Sequence, residues 1–295
     1  MDESVIEAYK KAGKIAGEAL AYGKSLIKPG VLLLEVCDKV EEKILALGGG
    51  IAFPAQVSCN DIAAHFCPEE DDKTILKDQL VSLDVGVHID GYIGDTACTV
   101  DLSGKNSALV KAAEEALANA IKLIKPGVAI GEIGKAIQDV IAKYGFAPIR
   151  NLCGHGLSQY DVHSEPSIPN FDTGDTSQLA EDMVIAIEPF ASAGEGAIYE
   201  SGNPTVFALI GKKPVRNMFT RQILKEIESY NGLPFAKRWI TRKFGVAKAN
   251  FALKELKNLD VLREYPPLPD RRHGLVSQAE HTILVKDKPL ILTKL

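Results

Sequence analysis

The sequence predicts an α+β protein of two pseudo-symmetric halves with a helical insertion near its end, on three observations. A helical run closed by Lys-Pro-Gly occurs twice. An alternating apolar/polar run broken by Asp-Gly reads as a β-hairpin. A lysine- and glutamate-rich stretch after Pro214 interrupts a β pattern that resumes at Val276.

Glu3 to Ser25 is alanine-rich with charges on one side and reads as a helix, stopped by Lys28-Pro29-Gly30. Val36, Val40 and Ile44, spaced i, i+4, i+8, mark a second helix, ended at Gly48-Gly49-Gly50. The pattern then recurs 97 positions later without a gap: Lys14, Ala16, Glu18 and Ala19 match Lys111, Ala113, Glu115 and Ala116. Leu26 to Val31 matches Leu123 to Val128, and Glu35 and Gly48 match Glu132 and Gly145. Two copies of a helix–turn–helix unit, each followed by strands, make a pseudo-symmetric domain and not a solenoid. A site between the halves is the expectation.

Val81, Leu83 and Val85 alternate with Ser82 and Asp84, the period of a half-buried strand. Asp90-Gly91 then supplies the φ > 0 pair of a type I′ turn, and Tyr92 to Val100 is rich in β formers. With those two as loop residues, Ile89 faces Tyr92 and Asp84 faces Ala97. Asp95 becomes the diagonal neighbour of Asp84 on one face, roughly 7 Å away. Two such carboxylates repel unless solvated or joined by a cation.

The second half repeats the delivery of histidine after its helices and a carboxylate at a strand end. Ser58 to His65 follows the first copy; Asn151 to Gly156 and then His163 follow the second. Met183 to Ile187 reads as a strand ending at Glu188-Pro189, because proline cannot donate to a ladder. Met218 to Tyr230 and Lys248 to Leu262 read as amphipathic helices of a small insertion, and the basic residues of that insertion read as a solvated face, with a docking surface as the alternative. The expected division is therefore a main domain of 1–213 and 271–295 with an insertion at 214–270. The chain then returns to β pattern, with Val276 to Val285 holding Glu280 and His281.

Composition narrows the class. The 295 residues are 46% hydrophobic and 25% charged, ordinary for a globular protein, and the net charge of −5 gives no reason to expect a nucleic-acid partner. Five scattered cysteines without a C-x-x-C pair argue for reduced thiols. No apolar run nears the ~18 residues of a membrane span, and the N-terminus has no signal-peptide core, so a soluble, cytoplasmic protein without membrane contact is expected.

Asp84, Asp95, His155, Glu188 and Glu280 form a hard, oxygen-dominated donor set suiting Mn, Fe, Co or Zn. Four acids are too many for a closed zinc site and about right for two cations. Spacing alone leaves the number of cations open.

The run Leu83-Asp84-Val85-Gly86-Val87-His88 with Asp95-Thr96-Ala97 resembles the methionine aminopeptidases. So do Gly154-His155, Ile187-Glu188-Pro189-Phe190 and Gln278-Ala279-Glu280-His281-Thr282. The insertion, Ala52-Phe53-Pro54 and Ala63-Ala64-His65 resemble the type II branch in its short archaeal form. The resemblance spans nearly the whole chain and implies the pita-bread fold, two α/β halves around a curved antiparallel sheet. It implies a dinuclear site in which Asp95 and Glu280 bridge two divalent cations, Asp84 binds one, and His155 and Glu188 bind the other. A bridging hydroxide would attack the first peptide bond and Glu188 would relay its proton. His163 and His65 would hydrogen-bond the substrate. Phe53, Ile62, Leu152, Val162 and Tyr265 would line the methionine pocket.

The implied activity is removal of the N-terminal methionine from nascent polypeptides with a small second residue, by a monomer; any ribosome contact stays open. Ser164-Glu165-Pro166 and Ala279 depart from the family pattern beside the cleft. An Xaa-Pro aminopeptidase or prolidase shares the fold and ligand set and is the competing enzyme. A catalytically dead binding module is the alternative outside enzymes, and it would have lost ligands that are intact here.

Overall fold

In the computed structural model, which describes residues 1–294, each half begins with a pair of helices. Helices α1 (Glu3–Leu26) and α2 (Leu33–Ala46) precede strands β1 (Gly50–Cys59), β2 (Leu80–Ile89) and β3 (Tyr92–Asp101). Helices α3 (Ser107–Leu123) and α4 (Ile130–Lys143) precede β4 (Ala147–Pro148), β5 (Cys153–Ser158), β6 (Asp161–Pro169), β7 (Val184–Ile187) and β8 (Phe190–Ser192). Then come β9 (Val206–Leu209), α5 (Met218–Glu228), β10 (Phe235–Ala236), α6 (Lys237–Phe244), α7 (Val246–Asn258) and β11 (Leu262–Tyr265). Strands β12 (Val276–Gln278), β13 (His281–Leu284) and β14 (Leu290–Ile291) return to the main body.

The repeat is structural. α2 and α4 are 14 residues each and begin at matching positions. The glycines that close the preceding turns, Gly30 and Gly127, have φ of 92° and 88°, a region that L side chains rarely adopt. Neither helix has a side-chain cap; its first N–H goes to the carbonyl of a passing loop instead. Leu33 N donates to Thr74 O at 3.0 Å, and Ile130 N to Ser177 O at 2.9 Å. The stripe Val36, Val40, Ile44 is buried against Val81, Leu83 and Val85, and its repeat Ile133, Ile137, Ile141 against Ile185, Ile187 and Ile283. Each such side chain contributes roughly 1.5–3 kcal/mol of burial.

The inner face is built from antiparallel sheets ordered β1-β2-β3, β14-β13-β7-β5-β6 and β12-β8-β4. The β2–β3 hairpin has the expected register, with Ile89 opposite Tyr92 and Asp84 opposite Ala97. Asp90 and Gly91 have φ of 51° and 88°. Helix α1 lies close on β3 because Gly13 and Gly94 meet there; a Cβ on Gly94 would stand 2.6 Å from Gly13 Cα. Among the described residues no helix is long and apolar enough to cross a membrane.

The β pattern from Val276 to Val285 forms two strands separated at Ala279-Glu280, because β12 pairs with β8 while β13 pairs with β7. The chain crosses between sheets there, with Glu280 N bonded to Ala97 O at 3.0 Å. The insertion is not purely helical. Three helices pack on the sheet β10-β9-β11, so its core draws on Phe207, ahead of the expected boundary at 214. Its basic residues are not merely a solvated face either. Arg238 is 1% exposed, donating to Glu41 and to the Cys67 sulfur, while Trp239 Nε1 donates to Glu41 at 2.8 Å. Arg242 pairs with Asp38 and Glu70. These contacts hold the insertion to α2 and to the loop after β1.

Candidate metal centre

The breaks in the strands aim the acids. Asp84 and Asp95 come from the uninterrupted hairpin, Glu188 from the Pro189 break between β7 and β8, and Glu280 from the crossing between β12 and β13. His155 stands on β5. All five line one cavity of about 220 Å3 between the halves. Atoms of Asp95, His155 and Glu280 lie within 4.8 Å of one another, and the three residues are 3%, 8% and 2% exposed. Glu188 Oε1 is 3.4 Å and Asp95 Oδ2 is 3.9 Å from His155 Nε2.

Backbone contacts across the halves hold the acids in place. Asp95 N donates to Thr282 Oγ1 at 2.7 Å, and Glu280 N to Ala97 O at 3.0 Å. Gln278 Nε2 donates to Glu280 Oε2 at 3.3 Å.

Burial pushes the Asp84 carboxyl up to about 7. Burial, and then the neighbouring acids, push Asp95, Glu188 and Glu280 well above the carboxylate range. Burial, then His163, pushes His155 down to about 3, so its imidazole is neutral. His155 Nδ1 is 3.1 Å from Gly156 O; a neutral ring donating there turns the Nε2 lone pair towards the acids, as a metal ligand requires. Asp84 Oδ1 and Asp95 Oδ1 are buried with no hydrogen-bond partner. Orphaned acceptors, repelling acids and a neutral imidazole aimed at them fit a cation.

Around this floor stand the other residues the sequence singled out. His65 has φ of 66°, and its ring meets Tyr265 edge-on at 5.4 Å. His163 lies 4.7 Å from the His155 ring and 6.1 Å from Tyr265. Burial, then His163, pushes His65 down to about 4, and desolvation within the cleft lowers His163 although the residue keeps contact with solvent. Phe53, Leu152, Val162 and Tyr265 line the same cavity. Ile62 does not: its bridge to Pro269 holds it outside the cavity. Sequence reasoning missed Val206 and Pro234, which approach from the insertion side, and Ala64, Cys153 and Phe190, which sit inside or beside the quoted motifs.

The pattern of metallopeptidase family M24 matches residues 7–286. The methionine aminopeptidase of Archaeoglobus fulgidus is 48% identical over 99% of this chain and 99% of its own. The crystal structure of methionine aminopeptidase from Thermotoga maritima is similar with a TM-score of 0.74 at 26% identity, covering 100% of this chain and 98% of that one. A prolidase from Pyrococcus furiosus shares the fold, with a TM-score of 0.65 at 20% identity over 100% of this chain but 65% of its own. The fold alone is therefore common to both enzymes, and the sequence separates them. The chain belongs to metallopeptidase family M24 and, within it, to the methionine aminopeptidases.

Proposed function

We propose that this chain removes the N-terminal methionine from nascent polypeptides whose second residue is small, using two divalent cations held by Asp84, Asp95, His155, Glu188 and Glu280. The observation that carries the reading is the placement of these five residues at the floor of one small cavity with an apolar wall. Four carboxylates beside a neutral imidazole carry the charge that two divalent cations neutralise. Asp95, His155 and Glu280, whose donor atoms lie within 4.8 Å of one another, would be among the residues that hold a cation.

Once bound, the cations would supply an activated water and polarise the scissile carbonyl. Glu188, 3.4 Å from His155, would accept the proton of the attacking water and return it to the departing amine. His163 and His65, both neutral at pH 7, would donate to the scissile carbonyl oxygen and the substrate amide. Phe53, Leu152 and Val162 would hold the methionine side chain. The cavity, about 220 Å3, is smaller than the roughly 300–1,000 Å3 of sites for drug-sized ligands, so it suits one residue at a chain end. The second residue would pass the His163 and Tyr265 rings, where a small side chain fits.

The test is a comparison of Met-Gly-x with x-Pro-y peptides under one metal. The proposal expects turnover of the methionine series; preference for the proline series would overturn it in favour of prolidase-type activity.

A further inference from the structure

We propose that the cleft continues into an exit subsite in which Arg263 selects polypeptides carrying an acidic side chain at the third or fourth residue. This rests on the aminopeptidase reading above and extends it to the part of the substrate that remains after cleavage.

A second cavity, of about 130 Å3, adjoins the metal-centre cavity and shares Val162, His163, Pro234 and Tyr265 with it. A polypeptide with its first residue at the metal centre would leave past His163 and Tyr265 into this outer space. An extended chain advances about 3.3–3.6 Å per residue, so the third and fourth residues would reach it. Its two sides are strands at the edges of different sheets, β6 bearing Asp161 and β11 bearing Arg263. Ala208 and Ile210 give it an apolar surface, and Ile210 is 54% exposed.

Arg263 and Asp161 are both exposed. Among the described residues, the ion pairs within 4.0 Å include neither. Both act on His163, from opposite sides of the charge balance. Arg263 and Tyr265 are two positions apart on β11, on one face of the strand, and both line this cavity, which sets the guanidinium at the point where a chain would emerge. A guanidinium has five donors in a fixed fork that matches a carboxylate. Asp161 would repel that same carboxylate, and removing it should strengthen the preference.

The experiment uses manganese-loaded full-length protein and C-terminally amidated Met-Gly-Asp-Phe, Met-Gly-Ser-Phe and Met-Gly-Lys-Phe, with a parallel set varied at the fourth position. Wild type should favour Asp over Lys in kcat/KM by about two- to fivefold at one of the two positions, the size expected of an exposed ion pair. Arg263→Gln should bring the ratio to about one, Arg263→Glu should invert it, and Arg263→Lys should largely preserve it. Asp161→Asn should widen it. An equal fall on every peptide in the Arg263 variants, with the ratio unchanged, would overturn the proposal by reducing Arg263 to a support for Tyr265. Equal turnover of all peptides by wild type would overturn the subsite and leave the aminopeptidase reading standing. Failure to cleave any peptide would overturn both.

Discussion

Thr96 and Thr282 exchange hydrogen bonds across the two halves, each holding the backbone of the other half's acid. Thr96 Oγ1 donates to Glu280 O at 2.8 Å, and Thr282 Oγ1 donates to Asp95 O at 2.7 Å. Both threonines are fully buried. The pair therefore ties the positions of two candidate cation-binding residues that lie far apart in the chain.

Thr282 also accepts from Asp95 N, so Thr282→Val strips two buried backbone groups where Thr96→Val strips one. An unsatisfied buried group costs about 1–3 kcal/mol, and loss of an outer support typically weakens metal binding by about 10–100-fold. Denaturant unfolding and metal titration should rank Thr282→Val as the more damaging. Equal, near-neutral effects would show that the exchange does not position the acids.

Stability of the metal-free protein should fall as pH rises from about 7.5 to 8. Asp84 is raised to about 7, with Asp95, Glu188 and Glu280 also raised, so the folded state binds protons that the unfolded chain has released. Linkage then lowers stability with pH up to the folded values. His65, His155 and His281 are lowered to about 4, 3 and 4, which gives the opposite slope, but that contribution fades as pH rises through the unfolded histidine value of about 6.5. Above about pH 7.5 the acids dominate the slope. Chemical denaturation at pH 7.5 and 8.0, with and without metal, checks this: the slope should be present in the metal-free protein and weakened when metal is bound. A rise with pH in the metal-free protein would contradict the electrostatics described here.

Arg238→Met should destabilise the protein by about 3–5 kcal/mol, because it leaves the buried Glu41 carboxylate without its cation. Glu41 also accepts from Ala55 N at 3.1 Å, which links the insertion through α2 to β1 and the cavity wall. Equilibrium unfolding of the variant measures the effect; a loss below about 1 kcal/mol would mean that the ion pair does not hold the insertion.

The sequence made the repeated framework legible because its cues are local. Lys28-Pro29-Gly30 and Lys125-Pro126-Gly127 mark equivalent turns, and Asp90-Gly91 sets the register that places Asp84 near Asp95. The five acid and imidazole positions came from motif resemblance, and the fold brings them into one cavity. What escaped depends on contacts between distant parts of the chain. Arg238 lies within a run that reads as solvated, and its burial depends on Glu41, 197 positions away. The same run hid α6. Val206 and Pro234 reach the cavity only through the insertion's packing, while Ile62 is held outside by Pro269. The break at Ala279-Glu280 carries no local cue, since neither glycine nor proline interrupts Val276 to Val285.

The most direct measurement is a calorimetric titration of thoroughly chelated protein with Mn²⁺ or Co²⁺, with turnover of a Met-Gly peptide followed in the same samples. The account predicts an inactive metal-free protein, two equivalents bound per chain at saturation, and return of activity on loading. Full turnover after chelation, or saturation with a single cation, would contradict it.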